Sequence, residues 1–154
     1  MLRRIYDNQI CSIARTLEVV GERWTLLIIR DAFLGLRRFD EFQHSLGIAR
    51  NVLSDRLNRL VDYGILERVR YQLRPDRFEY QLTDRGRDLQ IALFALMHWG
   101  DRHLTAEAGP PRITEHAGCG GRVIEQLACS RCGQVLPAEA VAVYPGPALV
   151  GRSS

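Results

Sequence analysis

Apolar positions along the chain recur with a period that changes twice. Between Cys11 and Val20, the residues Ile13, Leu17 and Val20 share one helical face, and Gly21-Glu22 breaks the run. Trp24 to Leu34 is mostly apolar, which predicts a central buried helix carrying Trp24 in the core and stopped by Gly35. Arg38 to Leu46 places Phe39, Phe42 and Leu46 at three- and four-residue spacing, and Gly47 suits the left-handed end of that helix. A further helix is predicted from Arg50 to Tyr63, with Gly64 as its stop. Its inner face carries Leu53, Leu57 and Leu60. Its outer face carries Asn51, Asp55, Asn58 and Asp62, with Arg56 and Arg59 beyond them.

The period then falls to two. In Leu66–Leu73, Val69, Tyr71 and Leu73 alternate with Arg68, Arg70 and Gln72. In Arg77–Leu82, Phe78 and Tyr80 alternate with Glu79 and Gln81. Arg74-Pro75-Asp76 separates the runs, so the pair predicts a hairpin with an arginine-bearing tip. Thr83 then makes a good N-cap for a single long helix to about Leu104, apolar nearly all round through Ile91, Leu93, Phe94, Leu96 and Trp99. A surface helix needs only one apolar stripe. A helix of this kind must be covered on several sides, by its own domain and by a second copy of the chain.

Helix, tight turn, helix and arginine-tipped hairpin, in that order, describe a winged helix-turn-helix, which places its second helix in a DNA major groove. The predicted fold class is therefore α+β: a winged helix-turn-helix, a long C-terminal dimerisation helix and a small β-rich appendage. The expected division is 1–104 for DNA binding and dimerisation, 105–111 (TAEAGPP) as linker, and 112–154 as a ribbon-like subdomain. Residues 1–10 are expected to form an arm, Ala140–Tyr144 a strand followed by a PGP turn, and Val150–Ser154 to fray.

At 154 residues there is room for one good core and a small appendage. Net charge is only +3, so local placement of charge must set any nucleic-acid footprint. All 21 basic residues are arginine, so every basic contact can be forked and bidentate to guanine or phosphate. No stretch reaches the roughly 18 apolar residues of a membrane helix. No apolar segment of secretory type follows Met1-Leu2-Arg3-Arg4, so the expected location is the cytoplasm, with no membrane partner.

GERWTLLIIRDAF, then RRFDEF, NVLSDRL, the hairpin with Tyr71, Pro75, Arg77, Glu79 and Tyr80, and finally LTDRG together resemble the HxlR-type bacterial transcription regulators. The resemblance runs from about Cys11 to His103. It implies a homodimeric, sequence-specific regulator of a palindromic operator, controlled by a small-molecule effector or a redox signal. One departure matters. Where the family commonly has Ser-Pro before an arginine at the start of the recognition helix, this chain has Ala49, Arg50 and Asn51. Alanine is a poorer N-cap than serine by about 1 kcal/mol. Relatives' operator preferences therefore do not transfer.

On this reading double-stranded DNA is the partner. Arg50, Asn51, Asp55 and Arg56 are expected at or near base edges, since Asn pairs bidentately with adenine and Asp accepts from cytosine. Arg37, Arg38 and Arg59 are expected at phosphates, and Gln72, Arg74 and Arg77 at backbone or an adjacent minor groove. Cys11 aligns with the amino-terminal cysteine that redox-sensing members use as a switch, and the start of a helix favours its thiolate; the other reading is a small buried apolar residue. An alternative function is a winged-helix protein–protein interaction module with a metal-binding ribbon.

The appendage carries His116-x2-Cys119 and Cys129-x2-Cys132-Gly133, similar to the two knuckles of a zinc ribbon with His in place of the first cysteine. Three readings stand: a zinc site of His116, Cys119, Cys129 and Cys132; a small β-unit without metal; or a Cys129–Cys132 disulfide. No cofactor is required by any other motif. Neither a phosphate loop, a nucleophile elbow nor HExxH occurs. The CxxC pair lies among glycine-rich turns rather than at a helix N-terminus, so no catalytic residue is assigned and the chain is expected not to be an enzyme.

Overall fold

In the computed structural model, Tyr6 and residues 9–105 and 107–150 are described. Most of the expected N-terminal arm and the last four residues of the expected frayed end lie outside them. The chain divides into two compact units, Met1–Leu93 and Phe94–Ser154.

The first unit contains α1 (Ser12–Val20), α2 (Thr25–Phe33), α3 (Phe39–Leu46), α4 (Arg50–Asp62), β1 (Leu66–Leu73), β2 (Asp76–Leu82), α5 (Asp84–Arg87) and the start of α6 (Gln90–His103). Its core is built from Ile28 and Ile29 of α2, Phe42 of α3, Leu53, Leu57 and Leu60 of α4, and Leu66 of β1, each at most 1% exposed. The inner face expected for α4 is therefore fully buried. Trp24 packs against this core while partly exposed. Gly47 and Gly64 adopt φ of +59° and +66°, the left-handed turns that let the chain leave α3 and α4.

Strands β1 and β2 pair antiparallel from Leu66↔Leu82 to Leu73↔Asp76. The connection is thus Arg74–Pro75 alone; Asp76, expected in the turn, already belongs to β2. Tyr71 has no partner in this register, since Arg70 pairs with Phe78 and Gln72 with Arg77. A third short pairing, Arg38↔Glu79, ties the start of α3 to β2.

The single helix expected from Thr83 to Leu104 is instead two. Thr83 caps α5 by accepting the Gly86 N–H at 3.1 Å. At Leu89 the N–H turns back to the Gly86 carbonyl at 3.2 Å, a tighter turn that separates α5 from α6. Gly86 is buried so closely on β1's approach that a Cβ there would lie 2.2 Å from the Ile65 carbonyl oxygen. Helical periodicity does not register a contact of that kind.

The second unit holds most of α6, then β3 (Leu127–Ala128) paired with β4 (Val135–Leu136), a 3₁₀ turn at Ala138–Ala140 and α7 (Pro147–Val150). The strand expected at Ala140–Tyr144 does not form. Val143 and Tyr144 are 92% and 81% exposed, and among the described residues no neighbouring strand offers them a ladder. None of the described residues of this unit is buried.

Candidate nucleic-acid interface

The N-terminus of α3 is fixed by Glu41, whose carboxylate accepts the backbone N–H groups of Arg37 and Arg38, each at 2.9 Å. Those two donors hold the Glu41 carboxyl below its ordinary value. The same turn presents Arg37 and Arg38 outward. Arg38 spans to β2, with Nε 3.5 Å from Glu79 and its guanidinium 4.8 Å from the Tyr71 ring centroid. Arg37 makes no ion pair among the described residues.

Helix α4 begins at Ala49, whose side chain supplies no cap. Arg50, exposed at the first turn, lies over the Phe39 ring at 4.7 Å and 3.6 Å from Asp40. Asn51, Ser54, Asp55 and Asn58 line the outer face and are all exposed. Ser54 was missing from the expected set of DNA-facing residues, although the i+3 step from Asn51 places it on this face.

Arg56 and Arg59 are engaged within the fold. Their side chains are only 17% and 25% exposed, and both meet Glu22, at 3.4 and 3.6 Å. Asp55 faces the same two guanidiniums at 3.7 and 3.8 Å. Glu22 thus ties α4 to the segment between α1 and α2, and the arginines buttress α4 from the side. That partnership joins residues far apart in the chain, beyond the reach of local pattern.

At the hairpin tip, Arg74 and Arg77 are exposed and make no ion pair among the described residues. Gln72 donates its side-chain amide to the Arg74 carbonyl at 2.9 Å, which shapes the turn. Arg70 meets Asp76 at 3.6 Å. A free guanidinium at a loop tip is suited to a phosphate; a paired one is less available.

Cys11 is exposed and forms the N-cap of α1 rather than its first turn. Helix α6 has no buried residue, and Ile91, Leu96 and Trp99 are 76%, 54% and 51% exposed.

In the second unit, the carboxylate of Glu125 meets His98 Nδ1 and Arg102, and His98 Nε2 lies 3.0 Å from Thr114 Oγ1. These contacts, the imidazole first, hold the Glu125 carboxyl down at about 2. They border a cavity of about 270 Å³ whose walls include Arg102, Arg112, Arg122 and Asp101. Ile113, Val123 and Ile124 line it beside these charged groups. All four cysteines are free, and the Cys129 thiol is drawn below its ordinary value by the N–H groups of Cys132 and Arg131 and the Cys132 thiol. Among the described residues, no three His, Cys, Asp or Glu side chains converge on one metal position.

Residues 19–108 match the HxlR-like helix-turn-helix family. The chain is 48% identical over 136 residues to the uncharacterized HTH-type transcriptional regulator Rv3095 of Mycobacterium tuberculosis (strain ATCC 25618 / H37Rv), covering 88% of this chain and 86% of that one. It is similar to the solved structure of PA1607, with TM-score 0.80 and 38% identity over 89% of this chain and 96% of that one. The reduced form of the redox regulator HypR is similar at TM-score 0.57 and 30% identity, over 60% of this chain and 92% of HypR.

Proposed function

Since this chain belongs to the HxlR-like helix-turn-helix family of transcriptional regulators, we propose that it binds a palindromic operator as a homodimer, with α4 of each copy in successive major grooves. The observation that carries this reading is the division of α4. Leu53, Leu57 and Leu60 are at most 1% exposed, while Asn51, Ser54, Asp55 and Asn58 are open to solvent. A helix anchored so firmly on one face can present the other without moving. Arg50, Asn51, Ser54 and Asp55 are the base-edge candidates, and Arg37, Arg74 and Arg77 the phosphate contacts. Arg38 reaches phosphate only by loosening its Glu79 contact. Arg56 and Arg59 hold α4 in place.

Pairing rests on α6. Ile91, Leu96 and Trp99 leave apolar surface on α6 open for a second copy to cover, and Ile13 of α1, 70% exposed, is a further apolar position for pairing. A signal that alters the angle between the copies changes the half-site spacing and releases DNA. Oxidation of Cys11 is one such signal, supported by its exposed N-cap position and by the likeness to HypR. A small-molecule effector is the other. None of the described helices is long and apolar enough to cross a membrane, and the site of action is taken as the cytoplasm.

Gel shift with the chain's own upstream DNA tests the reading, with sedimentation of the same sample. Salt-sensitive binding by a dimer is the expected result. A monomer with no preference for that DNA would favour a protein–protein module instead.

A further inference from the structure

Two segments of the second unit fold into the same turn. In one, the His116 N–H donates to the Gly121 carbonyl at 2.8 Å and the Gly120 N–H to the His116 carbonyl at 2.8 Å. In the other, the Cys129 N–H donates to the Gln134 carbonyl at 2.9 Å and the Gly133 N–H to the Cys129 carbonyl at 2.8 Å. Gly120 and Gly133 share φ of +72°. Each turn is closed by the same flanking pairing, Glu115↔Arg122 and Ala128↔Val135. The copies therefore correspond residue for residue: His116 stands where Cys129 stands, and Cys119 where Cys132 stands.

In the first copy the first and fourth residues meet, with His116 Nδ1 3.2 Å from Cys119 Sγ. In the second, the hydrogen bond from the Gly133 N–H to the Cys129 carbonyl closes the turn that carries Cys129 and Cys132 at the same two positions. The Cys132 thiol there donates to the Gln134 side-chain oxygen at 3.9 Å. Each turn thus offers a two-donor clamp at its first and fourth positions, with sulfur and imidazole as its donors.

An apolar core does not hold this unit together. No described residue of it is buried; Ile124, Leu127 and Val135 remain 66%, 53% and 57% exposed. Its paired strands are two residues long. A piece of this size without an apolar core requires disulfides, a metal or a partner surface. Cys119, Cys129 and Cys132 are all free thiols, so disulfides do not supply the staple.

We propose that His116, Cys119, Cys129 and Cys132 together bind one divalent ion of the zinc class, and that the ion acts as the missing core. Three thiolates and one imidazole suit a closed tetrahedral structural site. The two clamps stand apart in this structure, so binding must draw them together, and metal uptake is coupled to ordering of the unit. Each coordinating thiol gives up its proton to solvent on binding, and no electrons are exchanged.

The test uses the full chain, fully reduced with a phosphine and stripped with chelator, then titrated with cobalt(II). One equivalent per chain is expected, with thiolate-to-cobalt charge-transfer bands and strong tetrahedral d–d bands that one equivalent of zinc bleaches. X-ray absorption of the zinc form should give three sulfur neighbours at about 2.3 Å and one nitrogen at about 2.0–2.1 Å. Cys119→Ser and Cys132→Ser should each abolish saturable binding. His116→Cys should retain one equivalent with an all-sulfur spectrum, which separates loss of a ligand from failure to fold. Cys11→Ser should leave the titration unchanged. Zinc should also slow proteolysis within residues 112–150. Absence of saturable uptake by the reduced chain would overturn the proposal. So would uptake that survives Cys119→Ser and His116→Ala, because Cys129 and Cys132 alone would then hold the ion.

Discussion

Glu22→Gln distinguishes an α4 braced by its arginines from an α4 that reads with them. The Glu22 carboxylate is shared between Arg56 at 3.4 Å and Arg59 at 3.6 Å, with the arginine side chains only 17% and 25% exposed. A bare Coulomb figure for one such pair is about 4 kcal/mol at an effective dielectric constant of 20. Glu22 is 47% exposed, however, and solvent-exposed pairs are worth roughly 0.2–1 kcal/mol each. Asp55 also remains to face both arginines after the substitution. Against that, Arg56 Nη1 and Arg59 Nε are buried and already lack a hydrogen-bond partner among the described residues, so they tolerate the removal of a charge partner poorly. Two partly buried pairs together then come to about 1–2 kcal/mol.

For a unit of this size, each 1 kcal/mol moves the melting temperature by roughly 4–8 °C, so the expected fall is about 5–15 °C. Circular dichroism melts of parent and variant at low salt measure it. DNA binding measured well below the melt should change little. Arg56→Ala is the companion variant: it should lose stability comparably and weaken matched and scrambled DNA alike. An unchanged melt for Glu22→Gln would remove the brace. A loss of about 1–3 kcal/mol confined to the matched site in Arg56→Ala would return Arg56 to the base edges.

Leu57→Ala, at a fully buried position beneath α4, should cost about 3–5 kcal/mol by chemical denaturation, and a smaller loss would mean that the site collapses around the gap. Gly86→Ala should destabilise by about 1–3 kcal/mol, because its Cβ would sit 2.2 Å from a backbone oxygen; a neutral result would show that the α5 turn yields freely. Arg74→Ala with Arg77→Ala should weaken binding to all sequences alike and flatten its salt dependence, by about 0.9 in logarithmic slope for each phosphate no longer neutralised. An unchanged slope would take the wing off the DNA. Glu125 should titrate near 2 rather than near its ordinary 4.5, as followed by carboxyl carbon NMR. Its folded value is the lower one, so the His98 interaction favours the folded unit above about 4.5, and that stabilisation disappears as pH falls toward 2. A midpoint at 4.5 would mean that the interaction is not kept in solution.

What local pattern could reveal was legible. The burial of Leu53, Leu57 and Leu60, the stops at Gly47 and Gly64, and the alternating hairpin all follow from interactions within a few residues. What a distant neighbour decides was not legible. Periodicity predicts one helix from Thr83 onward, but the Leu89 N–H turns back to the Gly86 carbonyl at 3.2 Å and the helix divides after Arg87. The apolar run Ala140–Tyr144 predicts a strand, yet a strand needs an edge to pair with, and β3 and β4 are only two residues long. On α4, the sequence places Arg56 and Arg59 beyond the outer face without showing what they meet. Only the fold brings Glu22 beside Arg56 and Arg59.

Hydroxyl-radical footprinting of the full chain on its own upstream DNA examines the paired-helix arrangement most directly. Two symmetric protected patches are expected, centred about one helical turn apart, near 34 Å or 10–10.5 base pairs, and both should fade in Asn51→Ala. A single protected patch, or protection that Asn51→Ala leaves intact, would contradict a dimer reading DNA through two copies of α4.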